Sequence, residues 1–227
     1  MYWILFIGIA LASWLVQANL KNKFEKYSKI PIDGGLTGRD IAVKMLHDNG
    51  IYDVEVVSTS GSLTDHYNPS KKTLNLSDSV YGSNSVAAIG VAAHECGHAI
   101  QHQKNYVPLT LRTAIVPVAN IGSTLAWPLI LIGLFFNRST GAILINLGIL
   151  CFSFAVLFQL VTLPVEFNAS RRALHILGEQ GILSDSELPY TRKVLKAAAL
   201  TYVASAAAAI LQLLRLVLLF GGRNRDD

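Results

Sequence analysis

Long apolar runs separated by two polar segments set the pattern of the chain. Residues 1–20, MYWILFIGIALASWLVQANL, are apolar over the length a helix needs to cross about 30 Å of hydrocarbon. The first basic residue, Lys21, follows this run instead of preceding it, which predicts a retained transmembrane signal-anchor over 1–20 and not a cleaved signal peptide. Runs over about 114–136, 141–163 and 197–220 are each long enough to span as well, giving an expectation of four transmembrane helices. The link Asn137-Arg138-Ser139-Thr140 leaves room only for a tight turn, so 114–163 is expected to be a helical hairpin. Pro117 and Pro128, lacking backbone donors, are candidate kinks in its first arm.

The polar segments occupy 21–112 and 164–196, with a short tail over 221–227. Thr37 can cap a helix carrying Ile41, Val43, Met45 and Leu46 that stops near Asn49-Gly50. Val54 to Val57 then reads as a short strand, Asp65 to Lys71 as a turn-rich stretch, and Thr73-Leu74-Asn75-Leu76 alternates like an edge strand. An extended peptide could add to that edge next to Leu74. From about 84 to 103 the chain is Ala-rich and free of proline, as a buried helix requires.

Composition sharpens this picture. Charged residues make up 15% and hydrophobic ones 52%, with a mean hydropathy of +0.41, whereas a soluble domain carries about 25% charged residues. The net charge of +4 does not point to nucleic acid, because the Lys and Arg residues cluster beside the apolar runs. They act as topology signals. Lys21, Lys23, Lys26, Lys29, Lys104, Arg112, Arg171, Arg172, Lys193 and Lys196 fall on one side, against Arg138, Arg223 and Arg225 on the other. Positively charged loops stay in the cytoplasm, so both termini are expected outside and both polar segments inside the cell membrane. Cys96 and Cys151 form no CxxC and sit in apolar surroundings, which argues for burial and against redox chemistry.

The chemistry lies in His94-Glu95-Cys96-Gly97-His98, an H-E-x-x-H motif on the Ala-rich helix. Histidines four residues apart share one helical face, where both imidazoles can meet one zinc ion. Glu95 then stands beside the metal as general base, able to take a proton from a water whose pKa zinc lowers to about 7. Between Val86 and Ile100 no other charged residue occurs, so these polar groups stand in an apolar wall and need a partner.

A catalytic zinc site needs a third protein ligand. The extended metzincin motif fails, since Gln101 and Lys104 occupy the positions its glycine and third histidine would take. His102 lies two turns from His94, roughly 12 Å along the axis, too far to share an ion, and is read as a supporting, surface or substrate-facing residue. Glu166, in LPVEFNASRRA just past the third span, is on the right side and completes a His2Glu set. Its alternative is an ion pair with Arg171 or Arg172. His66, Tyr67, His175, Tyr202 and Arg171 are all chemically able to stabilise an oxyanion, and spacing does not choose among them.

The stretches VAAHECGHAIQ, FQLVTLPVEFNASRRAL and VLKAAALTYVASAAAAILQLL, with LTDHYNPSKKTLNLS and LRTAIVPVANIGS, resemble the bacterial YugP-type membrane zinc metallopeptidases over nearly the whole chain. A more distant similarity is to the HtpX and CAAX prenyl protease families, where a membrane hairpin also separates H-E-x-x-H from a glutamate ligand. The resemblance implies a gluzincin-like protease with one Zn2+ held by His94, His98 and Glu166, and Glu95 as base. The distant families carry aspartate four residues after the ligand glutamate, often orienting a zinc-bound histidine. This chain has Ser170 there, a weaker hydrogen-bond acceptor.

The sequence thus predicts a mainly α, integral-membrane protein with a small α+β gluzincin-like cytoplasmic catalytic segment. Its expected activity is zinc-dependent endopeptidase action on membrane-associated or unfolded polypeptides, with the lipid bilayer as its other partner and no role for nucleic acid. A non-catalytic zinc-binding scaffold is the competing reading, weakened by Glu95, for which a closed four-ligand site has no use. A zinc transporter would place ionisable residues along a path through the spans, which hold almost none.

Overall fold

The computed structural model describes residues 2–220, so the tail over 221–227, with Arg223 and Arg225, lies outside the described residues. Helix α1 (Tyr2–Tyr27) leads into a loop and then α2 (Gly38–Asp48). Thr37 caps α2 as expected: its Oγ1 accepts from the Asp40 N–H while the Asp40 carboxylate accepts from the Thr37 N–H, a reciprocal capping box. The helix stops at Asn49, and Gly50 follows with φ +73°, a conformation that costs glycine little.

Three strands follow: β1 (Glu55–Thr59), β2 (His66–Asn68) and β3 (Thr73–Ser77), in the order β1-β3-β2. β3 pairs parallel with β1, Val56 opposite Leu74, and antiparallel with β2, Tyr67 opposite Leu74. The sequence pattern predicted Thr73 to Leu76 as an edge, and this is corrected: β3 is the central strand. Its alternation has another cause, since Leu74 and Leu76 are fully buried against the helical layer while its backbone is covered on both sides. Strand addition next to Leu74 therefore has no free edge to use. The turn-rich stretch from Asp65 holds the edge strand β2 instead.

After the short α3 (Asp78–Tyr81), Ser85 caps α4 (Val86–Gln103), the centre of the core. Small residues dominate α4 and let neighbours approach on nearly every side. Ile41, Met45 and Leu46 of α2, and Leu74 and Leu76 of β3, pack on it from the polar segment. The other walls come from α6 (Arg138–Glu179) and α7 (Leu188–Phe220), through Ala173, Leu177, Val194 and Leu195. The remaining helix, α5 (Val107–Phe135), precedes α6.

Among the described residues, α5, α6 and α7 are long and apolar enough to cross a membrane, and the fourth span expected over 1–20 is not confirmed. α5 and α6 form the expected hairpin at near backbone contact: a Cβ on Gly122 would stand 2.5 Å from the Cys151 carbonyl oxygen, and one on Gly148 2.8 Å from that of Ala126. Two boundaries differ from the sequence pattern. α5 begins at Val107, so Arg112 belongs to its early turns and not to the polar segment before it. α6 runs unbroken through Pro164 for 42 residues, roughly 60 Å at 1.5 Å per residue, so one rod holds the apolar run and then carries Glu166 to α4.

Candidate metal centre

Two helices bring the site together. On α4, one turn of separation sets the His94 and His98 rings edge to face, with centroids 4.8 Å apart. From α6, Glu166 enters the same space, 2% exposed. Its Oε2 lies 3.2 Å from His94 Nε2 and 3.6 Å from His98 Nε2, and one ligand atom from each residue falls within 4.8 Å of the others. Ligands at 2.0–2.1 Å in a tetrahedron stand roughly 3.3 Å apart, so the spacing and chemistry of this donor set fit zinc. Gly97 makes the approach feasible, because a Cβ there would meet the Ala169 carbonyl oxygen at 2.7 Å.

The outward ring nitrogens are also engaged. Ser170 Oγ lies 3.1 Å from His94 Nδ1, where the sequence left its role open. Gln101 Oε1 lies 3.0 Å from His98 Nδ1, and Gln101 Nε2 donates to the Val165 carbonyl and to Asn168 Oδ1, binding α4 to α6 through a fully buried amide. These contacts turn both Nε2 atoms toward Glu166. Burial opposes a charge on the His98 imidazole, but the Glu166 carboxylate and the Glu95 charge outweigh it and raise its pKa above the ordinary value.

Glu95, 8% exposed, accepts the backbone N–H of Tyr67 at Oε2, 3.0 Å away. It borders a cleft of about 370 Å³ that also meets His98, Glu166, Asp65, Arg112 and Tyr202. α5 supplies one wall through Leu109, Arg112, Thr113 and Val116, the i, i+3, i+4, i+7 face of a helix. Arg112 Nη1 lies 3.7 Å from Glu166 Oε1, so the arginine read as a topology charge also faces the site. The alternative pairing of Glu166 with Arg171 or Arg172 is not made; Arg172 Nε instead donates to Asn168 Oδ1. Burial raises the Asp65 carboxyl above the usual range, against the Ser77 N–H that it accepts at 2.7 Å.

Of the residues considered for an oxyanion, His66, Tyr67 and Tyr202 line the cleft, whereas Arg171 and His175 line a separate groove. His102 also lines the cleft and lies 2.9 Å from the Tyr67 hydroxyl. Cys96 is buried with its thiol pKa pushed far up by desolvation, which makes it inert. The sequence did not single out Gln101, Asn168 or Arg112 as site residues. The i+3 spacing from His98 to Gln101 was the one local signal.

A His-His-Glu cluster, shared between an H-E-x-x-H helix and an arm of an apolar hairpin, offers the three protein ligands of a His2Glu zinc site. The chain belongs to the family described as "Putative neutral zinc metallopeptidase", whose model matches residues 2–221. It is 47% identical to the "Putative membrane protease YugP" of Bacillus subtilis strain 168, over 98% of this chain and all of that protein. No solved structure matches it.

Proposed function

We propose that the protein is an integral-membrane zinc endopeptidase, with His94, His98 and Glu166 as metal ligands and Glu95 as general base. The observation that carries this reading is the convergence of both Nε2 atoms on Glu166 Oε2, with His98, Glu166 and Glu95 lining one open cleft. Zinc bound there supplies Lewis acidity and lowers the pKa of a water to about 7. The Tyr67 N–H holds Glu95 Oε2, leaving Oε1 to take a proton from the attacking water and deliver it to the departing amine. Arg112 balances the buried Glu166 carboxylate from its Oε1 side. The cleft wall from Leu109 to Val116 belongs to a membrane-spanning helix, which supports substrates that are polypeptides at or near the bilayer.

In this reading α1 is a fourth span. Tyr27 at its end stacks on Tyr190 at the start of α7, with ring centroids 5.4 Å apart, and α1 packs along α7 as an antiparallel neighbour. The termini then face outward and the catalytic cleft faces the cytoplasm, in keeping with the basic residues gathered at that end.

The test is casein hydrolysis by the detergent-purified chain beside Glu95→Gln, with zinc quantified in both. Loss of about a hundredfold to ten-thousandfold in kcat with zinc retained is the expected result, because the base acts in the chemical step. Zinc in both proteins and cleavage by neither would favour the scaffold reading.

A further inference from the structure

A second concave site lies away from the cleft, between the ends of α6 and α7 that adjoin the polar segment. Its apolar floor is formed by Phe167 and Leu174 of α6 and by Leu188, Leu195 and Ala199 of α7, and its volume is about 640 Å³. At one end the helices nearly touch, since a Cβ on Gly178 would meet Leu188 Cδ2 at 3.2 Å. At the other end, Phe167 and Ala199 lie beside the ends of the apolar runs over 141–163 and 197–220, so with α6 and α7 as spans the groove would open toward the hydrocarbon. Arg171, Arg192 and Lys196 line it between these ends, each exposed, and among the described residues none of them makes an ion pair with a carboxylate. The one acidic residue in the lining, Glu179, is held by His175 at 3.0 Å.

We infer that this groove binds one anionic phospholipid, with its phosphate among Arg171, Arg192 and Lys196 and an acyl chain along the Leu174 to Ala199 floor. Three cations around an apolar trough at the water–hydrocarbon boundary match a lipid that carries a negative headgroup and a chain continuous with the bilayer. A zwitterionic lipid meets the same floor but brings its own cation to the phosphate, which weakens the headgroup contact. The inference rests on α6 and α7 as membrane spans and not on the peptidase reading. Occupancy would have a route to the metal centre, because Ser170 lines the groove and its Oγ lies 3.1 Å from His94 Nδ1.

The test uses the full chain in detergent, with phosphatidylglycerol and phosphatidylcholine as probes. Retention in native mass spectrometry and the shift in thermal midpoint are the readouts. Phosphatidylglycerol is expected to be retained at least about tenfold better than phosphatidylcholine and to raise the midpoint more. The triple variant R171Q/R192Q/K196Q should lose that preference. Lys193→Gln, which removes a neighbouring lysine that sits over the Tyr190 ring and does not line the groove, should keep it. Equal retention of the two lipids would overturn the inference, as would a preference that survives the triple variant or falls equally in Lys193→Gln. So would glycerol phosphate or a Glu-rich peptide binding as tightly as phosphatidylglycerol, because neither uses the apolar floor.

Discussion

A serine hydroxyl is a weaker partner for an imidazole than a carboxylate, yet Ser170 is the side chain within hydrogen-bonding distance of His94 Nδ1. If the hydroxyl fixes the ring so that Nε2 faces Glu166, Ser170→Ala should weaken zinc binding by about tenfold, the lower end of the range for such contacts. Competition against a chromophoric chelator measures this directly, and unchanged affinity would show that packing alone orients the ring. His98 supports a second prediction, in the metal-free protein. Its folded-state pKa is raised, so the protonated imidazole contributes stability that is fully present below the unfolded value of about 6.5 and lost as pH rises through the folded value. The thermal midpoint of chelator-treated protein should therefore fall across that window, and the fall should be smaller in His98→Gln. With zinc on His98, as proposed, the order should reverse, because protons would compete with the metal for Nε2. A metal-free midpoint that climbs with pH to the same degree in both proteins would remove His98 from the account.

Between elements, the decisive contact is the one that seats α6 on α4. Gly97 is a helix-interior glycine, and on propensity alone Gly97→Ala would stabilise α4 by about 1 kcal/mol. The added Cβ, however, would meet Ala169 backbone atoms, its oxygen at 2.7 Å and its Cα at 3.1 Å, which cannot rotate aside as a side chain would. Overpacking of this kind costs about 1–3 kcal/mol, so the steric effect wins, and any separation of the helices carries Glu166 away from the histidines. Gly97→Ala is expected to lower the thermal midpoint and the zinc content together; normal zinc with a raised midpoint would mean that α6 shifts freely. This helix pairing also marks how far the sequence could be read. The H-E-x-x-H helix, the Thr37 cap and the α5–α6 hairpin were legible because each signal is local: a spacing, a cap residue, an apolar length. Strand β2 was missed because His66-Tyr67-Asn68 has no apolar alternation, and the central place of β3 depends on pairings that span loops. Gln101 and Asn168 meet across 67 positions of chain, and Arg112 faces Glu166 only because α5 starts at Val107.

For the whole molecule, the lengths of the helices and the placement of charge have to agree on one orientation. The polar end, where α1 finishes, α5 starts, α6 finishes and α7 starts, gathers Lys21 to Lys29, Arg112, Arg171, Arg172, Lys193 and Lys196. The opposite end has Arg138 at the α5–α6 turn, with Arg223 and Arg225 outside the described residues. Moving one Lys or Arg to the centre of the bilayer costs about 2.5–3.5 kcal/mol, so reversing the molecule during insertion would carry far more charge across than the observed bias does. Lys71 lies exposed between β2 and β3 at the polar end, and Ser139 lies exposed in the first turn of α6 at the other. In a Cys151→Ser background, where buried Cys96 is unreactive, Lys71→Cys and Ser139→Cys report the two faces separately. In intact cells, an impermeant maleimide is expected to label the Ser139→Cys protein and to reach the Lys71→Cys protein only after lysis. The reverse pattern would place the cleft and its Glu95 outside the cell, and the substrates would then have to be sought among exported polypeptides. Labelling of both sites in intact cells would mean that α5 and α6 do not cross as a hairpin, whatever their length allows.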